Sequence, residues 1–267
     1  MFLILGIVII IAIVGIVFFS EQEKKMEPKS LSETQIQSTP FDTSALQFFM
    51  QQCLTRVEEE ALMHLGSQGG YDSTKEPTVF FYSNILRIPL YFNATNNEEH
   101  IPSLIELEQG LNSYVSRTIG TQCNVQSFSV SGLTVNSITE GNIQAVHILK
   151  NNSVSVTINY PLVLFKEGVR AELNTFSVDV PTRIVQMYEE AKNLAKEKAE
   201  TGSLCITCIS DWTRDNEFTI EKYDNIISGT SIITLRDPKH IVQGKAQLFT
   251  FAITEKTHTN KGKWHEW

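Results

Sequence analysis

The chain has 267 residues, and a hydrophobic fraction of 42% with 15 phenylalanines can fill a sizeable core. Its formal net charge of -8 argues against a nucleic-acid partner, because nucleic-acid binding needs a basic face. A polybasic lipid-binding patch is also absent from the sequence. The composition is therefore that of an ordinary folded domain.

The first element is an uninterrupted apolar run from Phe2 to Phe19 without a charged or polar side chain. A helix of this length covers roughly 27 Å, close to the ~30 Å hydrocarbon core of a bilayer. Residues 1–20 are therefore predicted to be a transmembrane anchor. A cleaved signal peptide is less favoured, since no basic residue precedes the run and Val17, Phe18 and Phe19 make a poor cleavage context.

Two signals conflict over the orientation of this anchor. Lys24, Lys25 and Lys29 follow the apolar run, and by the positive-inside rule they would place the rest of the chain in the cytoplasm. Four cysteines and two glycosylation-type triplets, which start at Asn93 and Asn151, favour the opposite side. We expect a single-pass protein of the cell membrane whose folded domain is extracytoplasmic.

The composition changes twice along the rest of the chain. Residues 21–43 have almost no apolar content up to Pro40 and are predicted to form a flexible polar linker. Residues 44–255 are predicted to form the folded domain, and residues 256–267 a flexible tail, whose tryptophans suit contact with a membrane surface.

Three helices are predicted from apolar residues at three- and four-residue spacing. The first covers residues 46–65 and stops at Gly66, the second runs from Pro102 to Cys123, and the third covers residues 182–200. The Gly-rich segment after the first helix is predicted to be a helix end and turn. A phosphate-binding loop has the reverse polarity, because it follows a strand and opens a helix.

Between these helices the apolar period changes to two, which is typical of strands. Residues 143–149 and 154–165 are predicted to form a hairpin, and further strands are predicted around Phe128, Phe176–Val180 and Phe249–Ile253. Alternation with one polar face favours antiparallel pairing. The predicted fold class is α+β: a transmembrane helix followed by an ectodomain of antiparallel sheet packed with about three helices, not a doubly wound nucleotide-binding fold.

The four cysteines are the residues with the most distinctive chemistry. An even number in an oxidising compartment indicates disulfides, which can pair in three ways. We favour Cys53 with Cys123, since the first lies on the apolar stripe of the first helix and the second closes the second helix. Cys205 would then pair with Cys208. Closing a loop of about 70 residues stabilises by roughly 4 kcal/mol on the chain-entropy model.

The spacing of Cys205 and Cys208 leaves two other interpretations open. A redox CxxC needs its first thiol at a helix N-terminus, and the sequence shows no convincing helix beginning at Cys205. Half of a zinc site would need two further ligands, and His240, His258 and His265 form no paired motif. A structural disulfide is therefore preferred, and no metal or cofactor is predicted.

No catalytic residue is predicted either. The sequence contains no GxSxG elbow. The acidic run Glu58-Glu59-Glu60, with His64 four residues after Glu60, is not an HExxH zinc motif and is interpreted as a solvated helix face. The remaining carboxylates of interest are interpreted as loop residues without a recognisable companion: Asp211, Asp215 and Asp237.

Six short segments share their placement with a known group of proteins: Cys53-Leu54, Ala61-Leu62, Leu65–Tyr71, Tyr160–Leu162, Phe176–Val178 and Phe249–Ala252. Together with the apolar N-terminal run, this spacing resembles uncharacterised single-pass membrane proteins of small-genome archaea. The likeness spans most of the predicted domain. It implies an archaeal cell-surface protein, and it implies no particular activity, ligand or functional residue.

Two functional hypotheses remain from the sequence. The first is a non-enzymatic structural or binding module, presented on a membrane anchor to a protein or surface partner. The second is a membrane-tethered thiol-disulfide oxidoreductase that uses Cys205 and Cys208. A buried, permanently oxidised pair would exclude the second, whereas an exposed thiol with a pKa well below ~8.5 would exclude the first.

Overall fold

The structure is a computed structural model that describes residues 42–73, 76–81, 86–125, 134–137, 143–201, 204, 206–224 and 229–254. The predicted anchor, the predicted tail and almost all of the predicted linker lie outside these residues. Within the described part of the chain, no helix is both long enough and apolar enough to cross a membrane.

Four helices are described, and three of them confirm the helices predicted from the sequence. Helix α1 spans Ser44–Ser67, α2 spans Leu104–Gln122, α3 spans Ile184–Thr201 and α4 spans Ile206–Asn216. Helix α4 was not predicted. Helix α2 starts two residues later than predicted, because Ser103 caps it in a capping box with Glu106.

Ten strands complete the described secondary structure. They are β1 (Thr78–Phe81), β2 (Leu86–Asn93), β3 (Glu98–Glu99), β4 (Thr134–Ser137), β5 (Gln144–Leu149), β6 (Ser153–Lys166), β7 (Val169–Pro181), β8 (Thr219–Tyr223), β9 (Thr230–Val242) and β10 (Lys245–Thr254). The α+β class is confirmed. The predicted strand around Phe128 lies outside the described residues.

The first sheet has the strand order β1-β2-β10-β9-β8, with β3 paired to the other part of β2. Its neighbours are antiparallel except β2 and β10, which run parallel with Leu90 opposite Ala252. The prediction of a purely antiparallel sheet is therefore wrong at this one pairing. Strands so far apart in the sequence need no hairpin to join them, so a parallel pairing is open to them.

The second sheet is organised around the long strand β6. Strand β7 pairs along one edge of β6, and β5 and β4 pair with successive parts of the other edge, all antiparallel. The predicted hairpin is confirmed, since Leu149 lies opposite Val154. Along the first half of β6 the side chains alternate between buried and more exposed, as expected for a sheet with one face in water.

The core lies between the helices and the two sheets. Helix α1 packs against α2, β7 and β10, and it therefore contributes to the contacts with both sheets. Its fully buried side chains recur at three- and four-residue spacing: Leu46, Met50, Leu54, Val57, Ala61 and Leu65. This placement makes α1 the central helix of the described core.

The segment after α1 confirms the predicted helix end and turn. The amide of Gly70 donates to the carbonyl of Leu65 at 2.7 Å, and Gly69 and Gly70 have φ values of +55° and +83°. A Cβ atom placed on Gly66 would lie 2.0 Å from the carbonyl oxygen of Leu248. The glycines therefore allow the chain to turn and α1 to approach the backbone of β10 closely.

Candidate functional site

The predicted bond between Cys53 and Cys123 is confirmed. Cys53 lies on the buried side of α1, Cys123 is the C-cap residue of α2, and their Cα atoms are 5.8 Å apart. The bridge joins residues 70 positions apart and lies in the core, where the two residues are 7% and 0% exposed. It therefore holds the two helices together covalently.

The other two cysteines are Cys205 and Cys208. Cys205 lies outside the described residues, and Cys208 falls within α4 but its side chain is not described. Helix α4 begins at Ile206, directly after Cys205. The expectation that no helix begins at this point is therefore wrong. Only three apolar positions, Ile206, Ile209 and Trp212, mark this short helix in the sequence.

The two predicted glycosylation residues lie in different surroundings. Asn93, at the end of β2, is half-buried, and its Oδ1 accepts hydrogen bonds from the Thr95 amide at 3.0 Å and the Thr254 hydroxyl at 3.4 Å. Asn151 is exposed in the turn between β5 and β6. Its side chain is therefore the more accessible of the two.

The acidic run on α1 is not a solvated face throughout. Glu59 and Glu60 are half-buried, but Glu58 is 0% exposed. Position 58 follows Leu54 by four residues and therefore faces the core with it. Its Oε2 lies 2.7 Å from Nε2 of His147 on β5, a residue that the sequence interpretation did not single out.

A buried polar network surrounds this pair. Nδ1 of His147 lies 2.6 Å from Oδ1 of Asn112 on α2, so the network joins both helices to the second sheet. The Asn112 oxygen accepts, so Nδ1 of His147 is the donor in this contact. Oε1 of Glu58 has no hydrogen-bond partner among the described residues.

A second polar cluster is centred on Asp237, which is fully buried on β9. Arg183, just before α3, donates to both carboxylate oxygens, with Nε at 2.8 Å from Oδ2. Nδ1 of His240 lies 2.6 Å from Oδ2, and the Lys239 amide donates to Oδ1 at 3.0 Å. The sequence interpretation of Asp237 as a loop residue without a companion is wrong.

Strand β9 is irregular at this cluster. Asp237 pairs with Gln247 and Ile241 pairs with Ala246, so residues 238–240 bulge out of the ladder. Pro238 has no amide hydrogen to donate to β10, which fits its place in a bulge. With this bulge, the ring of His240 lies beside the carboxylate of Asp237.

The electrostatics of Asp237 follow from these contacts. Burial alone would raise the pKa of its carboxyl, but the hydrogen bonds from Arg183, His240 and the Lys239 amide outweigh burial. The pKa of Asp237 therefore lies below its ordinary value of 3.8. The Asp237 carboxylate is charged at neutral pH. It forms an ion pair with the Arg183 guanidinium, which is only 11% exposed.

Arg183 also reaches helix α4 and the residue that follows it. Its Nη1 donates to the Asn216 carbonyl at 2.6 Å, and its guanidinium carbon lies 3.9 Å from the centre of the Phe218 ring. Phe218 in turn stacks on Trp212 with ring centres 4.8 Å apart. Arg183 therefore connects β9 and α4 to the start of α3.

The chemistry that this cluster can perform is limited by its internal bonding. The second ring nitrogen of His240 belongs to a side chain that is 23% exposed. In the described part of the chain, no hydroxyl or thiol is hydrogen-bonded to that nitrogen, as a nucleophile would be. No group of three or more potential metal ligands gathers among the described residues either.

Two clefts formed by described residues are further candidate surfaces. One has a volume of about 260 Å³ and lies between α1, α2 and the β9–β10 turn, lined by Glu60, Met63, Tyr114, Val242, Gln243 and Lys245. The other, of about 160 Å³, is lined by two residues of β2, Pro89 and Leu90, and by residues of the segments around Tyr71, Pro77 and Ile101. Both volumes are below the range of about 300–1,000 Å³ that is usual for small-molecule sites.

Comparison with protein-family models, with curated proteins and with solved structures gave no match for this chain. The functional argument therefore depends on the chain's own residues.

Proposed function

We propose that this chain is a membrane-anchored cell-surface protein whose folded domain is extracytoplasmic and acts as a non-enzymatic structural or binding module. The disulfide between Cys53 and Cys123 carries the proposal. Disulfides persist in oxidising compartments and are rare in the cytosol, so a bridge built into the core favours an external domain. The apolar run Phe2–Phe19 supplies the anchor in this proposal.

The polar clusters support a structural or binding role over catalysis. The Glu58 carboxylate and the Asp237 carboxylate are buried and bonded to side chains of other elements. Groups of this kind join helices to sheets, whereas a catalytic acid or base must reach a substrate. In this proposal the exposed residues of the second sheet offer a surface to a protein or surface partner.

The experiment expresses the full chain in cells and adds protease to the intact cells. We expect cleavage of the folded domain from outside, retention of the N-terminal fragment in membranes washed with carbonate, and a Cys53–Cys123 peptide pair in non-reducing mass spectrometry. A charged residue in the centre of a spanning helix costs about 3 kcal/mol. The double variant Ile10→Asp, Ile13→Asp should therefore leave the membrane fraction.

The matched control is Ile10→Leu, Ile13→Leu, which keeps the apolar character of the run and should remain in the membrane. The proposal fails if the domain is cleaved only after the cells are permeabilised and Cys53 and Cys123 are recovered as free thiols. Recovery of the wild-type chain from the aqueous fraction would overturn the anchor itself.

A second candidate function is thiol-disulfide exchange by Cys205 and Cys208. The start of α4 at Ile206 favours it, because the N-terminus of a helix stabilises a thiolate just before it. In this candidate the Cys205 thiolate attacks a substrate disulfide to form a mixed disulfide. The Cys208 thiolate then displaces the substrate as a dithiol and leaves Cys205–Cys208 oxidised, and an external dithiol reduces that pair for the next cycle.

Trapping distinguishes this candidate from the first. A Cys208→Ser variant would accumulate a mixed disulfide with a protein substrate, whereas Cys205→Ser would not. The control is Cys53→Ser with Cys123→Ser, which removes the other bridge and should not trap substrate. Failure of Cys208→Ser to trap any partner, with an ordinary thiol pKa at Cys205, excludes the enzyme.

A further inference from the structure

We propose that the larger of the two clefts binds a free α-amino acid with an aliphatic side chain, in its zwitterionic form. The proposal gives a ligand to the binding module proposed above, and in that respect it rests on the proposed function. We call this surface the α1–α2 cleft. It has a volume of about 260 Å³ and is lined by Glu60, Met63, Tyr114, Val242, Gln243 and Lys245.

The tip of the β9–β10 hairpin forms one wall of the α1–α2 cleft. Gln243 and Gly244 make a two-residue turn with φ values of +50° and +76°, in the left-handed region that a tight hairpin turn requires. Val242 lies opposite Lys245 across this turn, so the two side chains project from the same face of the hairpin. Both line the cleft. The hairpin therefore presents an apolar group and an ammonium group to the same space.

Helix α1 supplies a carboxylate that is held in place by two amides. Oε2 of Glu60 accepts a hydrogen bond from Nε2 of Gln122 on α2 at 2.6 Å, and Oε1 accepts one from Nε2 of Gln243 at 3.1 Å. Gln122 directly precedes Cys123, which the disulfide joins to Cys53 of α1. The Glu60 carboxylate is therefore preorganised. Each of its oxygens has a second lone pair that can accept a hydrogen bond from a ligand.

Two polar groups that line the cleft are not engaged by the described part of the chain. The Lys245 ammonium and the Tyr114 hydroxyl form no hydrogen bond or ion pair with a described residue. The Tyr114 ring itself is held, since its centre lies 5.0 Å from the His64 ring and 4.9 Å from the guanidinium carbon of Arg117. The cleft therefore offers a cationic donor and a hydroxyl group to a ligand.

The charges of the lining residues favour a ligand that carries both signs. Glu60 and Lys245 are the acidic and the basic residue among the six that line the cleft. A ligand with a net positive charge is repelled by Lys245, and one with a net negative charge is repelled by Glu60. A zwitterion donates from its ammonium group to Glu60 while its carboxylate accepts from Lys245. Hydrogen bonds between charged groups of this kind are stronger than those between neutral groups.

The rest of the lining is apolar and suits an aliphatic side chain. Met63, Val242 and the ring of Tyr114 flank the two charged residues, and apolar area that a ligand buries against them favours binding. The volume of the cleft lies below the range that holds drug-sized ligands, and a free amino acid is smaller than such a ligand. An amino acid such as leucine therefore matches the cleft in size, charge and apolar character.

The test titrates the full chain in phosphatidylcholine nanodiscs with L-leucine at neutral pH, with empty nanodiscs as the blank, and detects binding by saturation-transfer NMR. We expect a Kd on the order of 1 mM, as for a small ligand in an open cleft. The methyl ester of leucine lacks the carboxylate, and N-acetyl-leucine lacks the ammonium group. Each should bind about ten-fold more weakly than leucine, because one charged hydrogen bond is lost. Glycine should also bind about ten-fold more weakly, because it lacks the apolar side chain.

Matched variants assign the two charged contacts. Lys245→Met should weaken the binding of leucine about ten-fold without weakening that of the methyl ester, which has no carboxylate to lose. Glu60→Gln should weaken the binding of leucine about ten-fold without weakening that of N-acetyl-leucine. Lys245 is exposed beside the hairpin turn, so its replacement should leave the fold intact. The control is Lys196→Met, since Lys196 is an exposed lysine of α3 outside the cleft, and this variant should bind leucine as the wild-type chain does.

The possible outcomes separate this proposal from the proposed function. Equal binding of leucine, its methyl ester and N-acetyl-leucine would overturn recognition of a zwitterion, and tighter binding of the ester would assign a site for cations instead. Absence of leucine binding at about 10 mM would overturn the cleft as an amino-acid site. None of these results alters protease access to the folded domain or the state of Cys53 and Cys123, by which the proposed function stands or fails.

Discussion

Glu58 and His147 share a hydrogen bond of 2.7 Å although both side chains are 0% exposed. The bond connects the central helix α1 to strand β5, and Asn112 of α2 holds the other ring nitrogen. A buried pair of this kind contributes little when it replaces packed apolar residues, but removal of one partner leaves the other without compensation. The stability of the fold therefore depends on the presence of both Glu58 and His147, and not only on the packing of apolar side chains.

The first prediction concerns this pair. His147→Ala and Glu58→Ala should each lower the free energy of unfolding by about 3 kcal/mol or more, since each leaves a buried polar group without its partner. The double variant should lose less than the sum of the two, with a coupling of about 1–3 kcal/mol. Urea unfolding of the four proteins measures the cycle.

The control is a second pair of the same residue types on the surface. His100 and Glu98 are 3.6 Å apart, and their side chains are 32% and 58% exposed. Their double-mutant cycle should give a coupling below about 0.5 kcal/mol, because water screens the interaction. Equal coupling in both cycles would show that burial does not determine the strength of the Glu58–His147 interaction.

The second prediction concerns the bridge between α1 and α2. Replacing Cys53 and Cys123 by Ala should lower the free energy of unfolding by about 4 kcal/mol, as the chain-entropy model gives for a loop of about 70 residues. Cys205→Ser with Cys208→Ser should cost less than half as much, because those residues close only a short loop. Chemical unfolding under non-reducing conditions measures both. A larger loss of unfolding free energy from Cys205→Ser with Cys208→Ser would show that the Cys53–Cys123 bond is not the disulfide that contributes most to stability.

The regular helices and the β5–β6 hairpin could be predicted because their signals are local. The stripe from Leu46 to Leu65 repeats within one helix, and the turn between Leu149 and Val154 lies between two alternating runs. The Cys53–Cys123 pairing followed because each cysteine could be placed on a predicted helix. Predicting these features requires only residues that are close in the sequence, or two cysteines that each lie on a predicted helix.

The features that escaped prediction depend on partners far away in the sequence. Strand β9 shows six consecutive buried residues, Thr230 to Leu235, because β8 and β10 flank it and both of its faces are covered, so no alternation marks it. Glu58 finds His147 at a separation of 89 residues, and Asp237 finds Arg183 at 54. No local pattern shows that a carboxylate will be buried against such a partner.

The third prediction concerns the close approach of α1 to β10. Gly66→Ala should lower the free energy of unfolding by about 2–3 kcal/mol or more, since the new methyl group would meet the backbone carbonyl of Leu248, which cannot rotate away. Thermal or urea unfolding measures the loss.

Gly120 in α2 provides the matched glycine. A Cβ there would lie 3.1 Å from Cδ1 of Ile143, the flexible end of a side chain. Gly120→Ala should change stability by less than about 1 kcal/mol, because the gain in helix propensity offsets the local adjustment. A similar loss at both glycines would indicate that the contact with Leu248 is not the cause.

The fourth prediction concerns acid sensitivity and follows from Asp237. Because the pKa of its carboxyl is lower in the folded protein than the ordinary value of 3.8, the unfolded chain binds the proton more readily in the window between these two values. The contribution of Asp237 to stability is therefore complete above pH 3.8 and is lost as the pH falls through the lower, folded value. Asp237→Asn should be less stable at neutral pH, and it should lose stability less steeply than the wild-type chain below pH 3.8.

Asp211 supplies the control carboxylate for this prediction. It lies on α4, and its side chain is 63% exposed beside Arg214. Asp211→Asn should change the free energy of unfolding at neutral pH by less than about 0.5 kcal/mol, because an exposed ion pair contributes little. Asp237→Asn should instead approach the wild-type stability as the pH falls, because acid removes from the wild type the charge that the variant already lacks. Parallel profiles for wild type and Asp237→Asn would mean that Arg183 and His240 stabilise the fold through contacts that do not depend on the charge of the carboxylate.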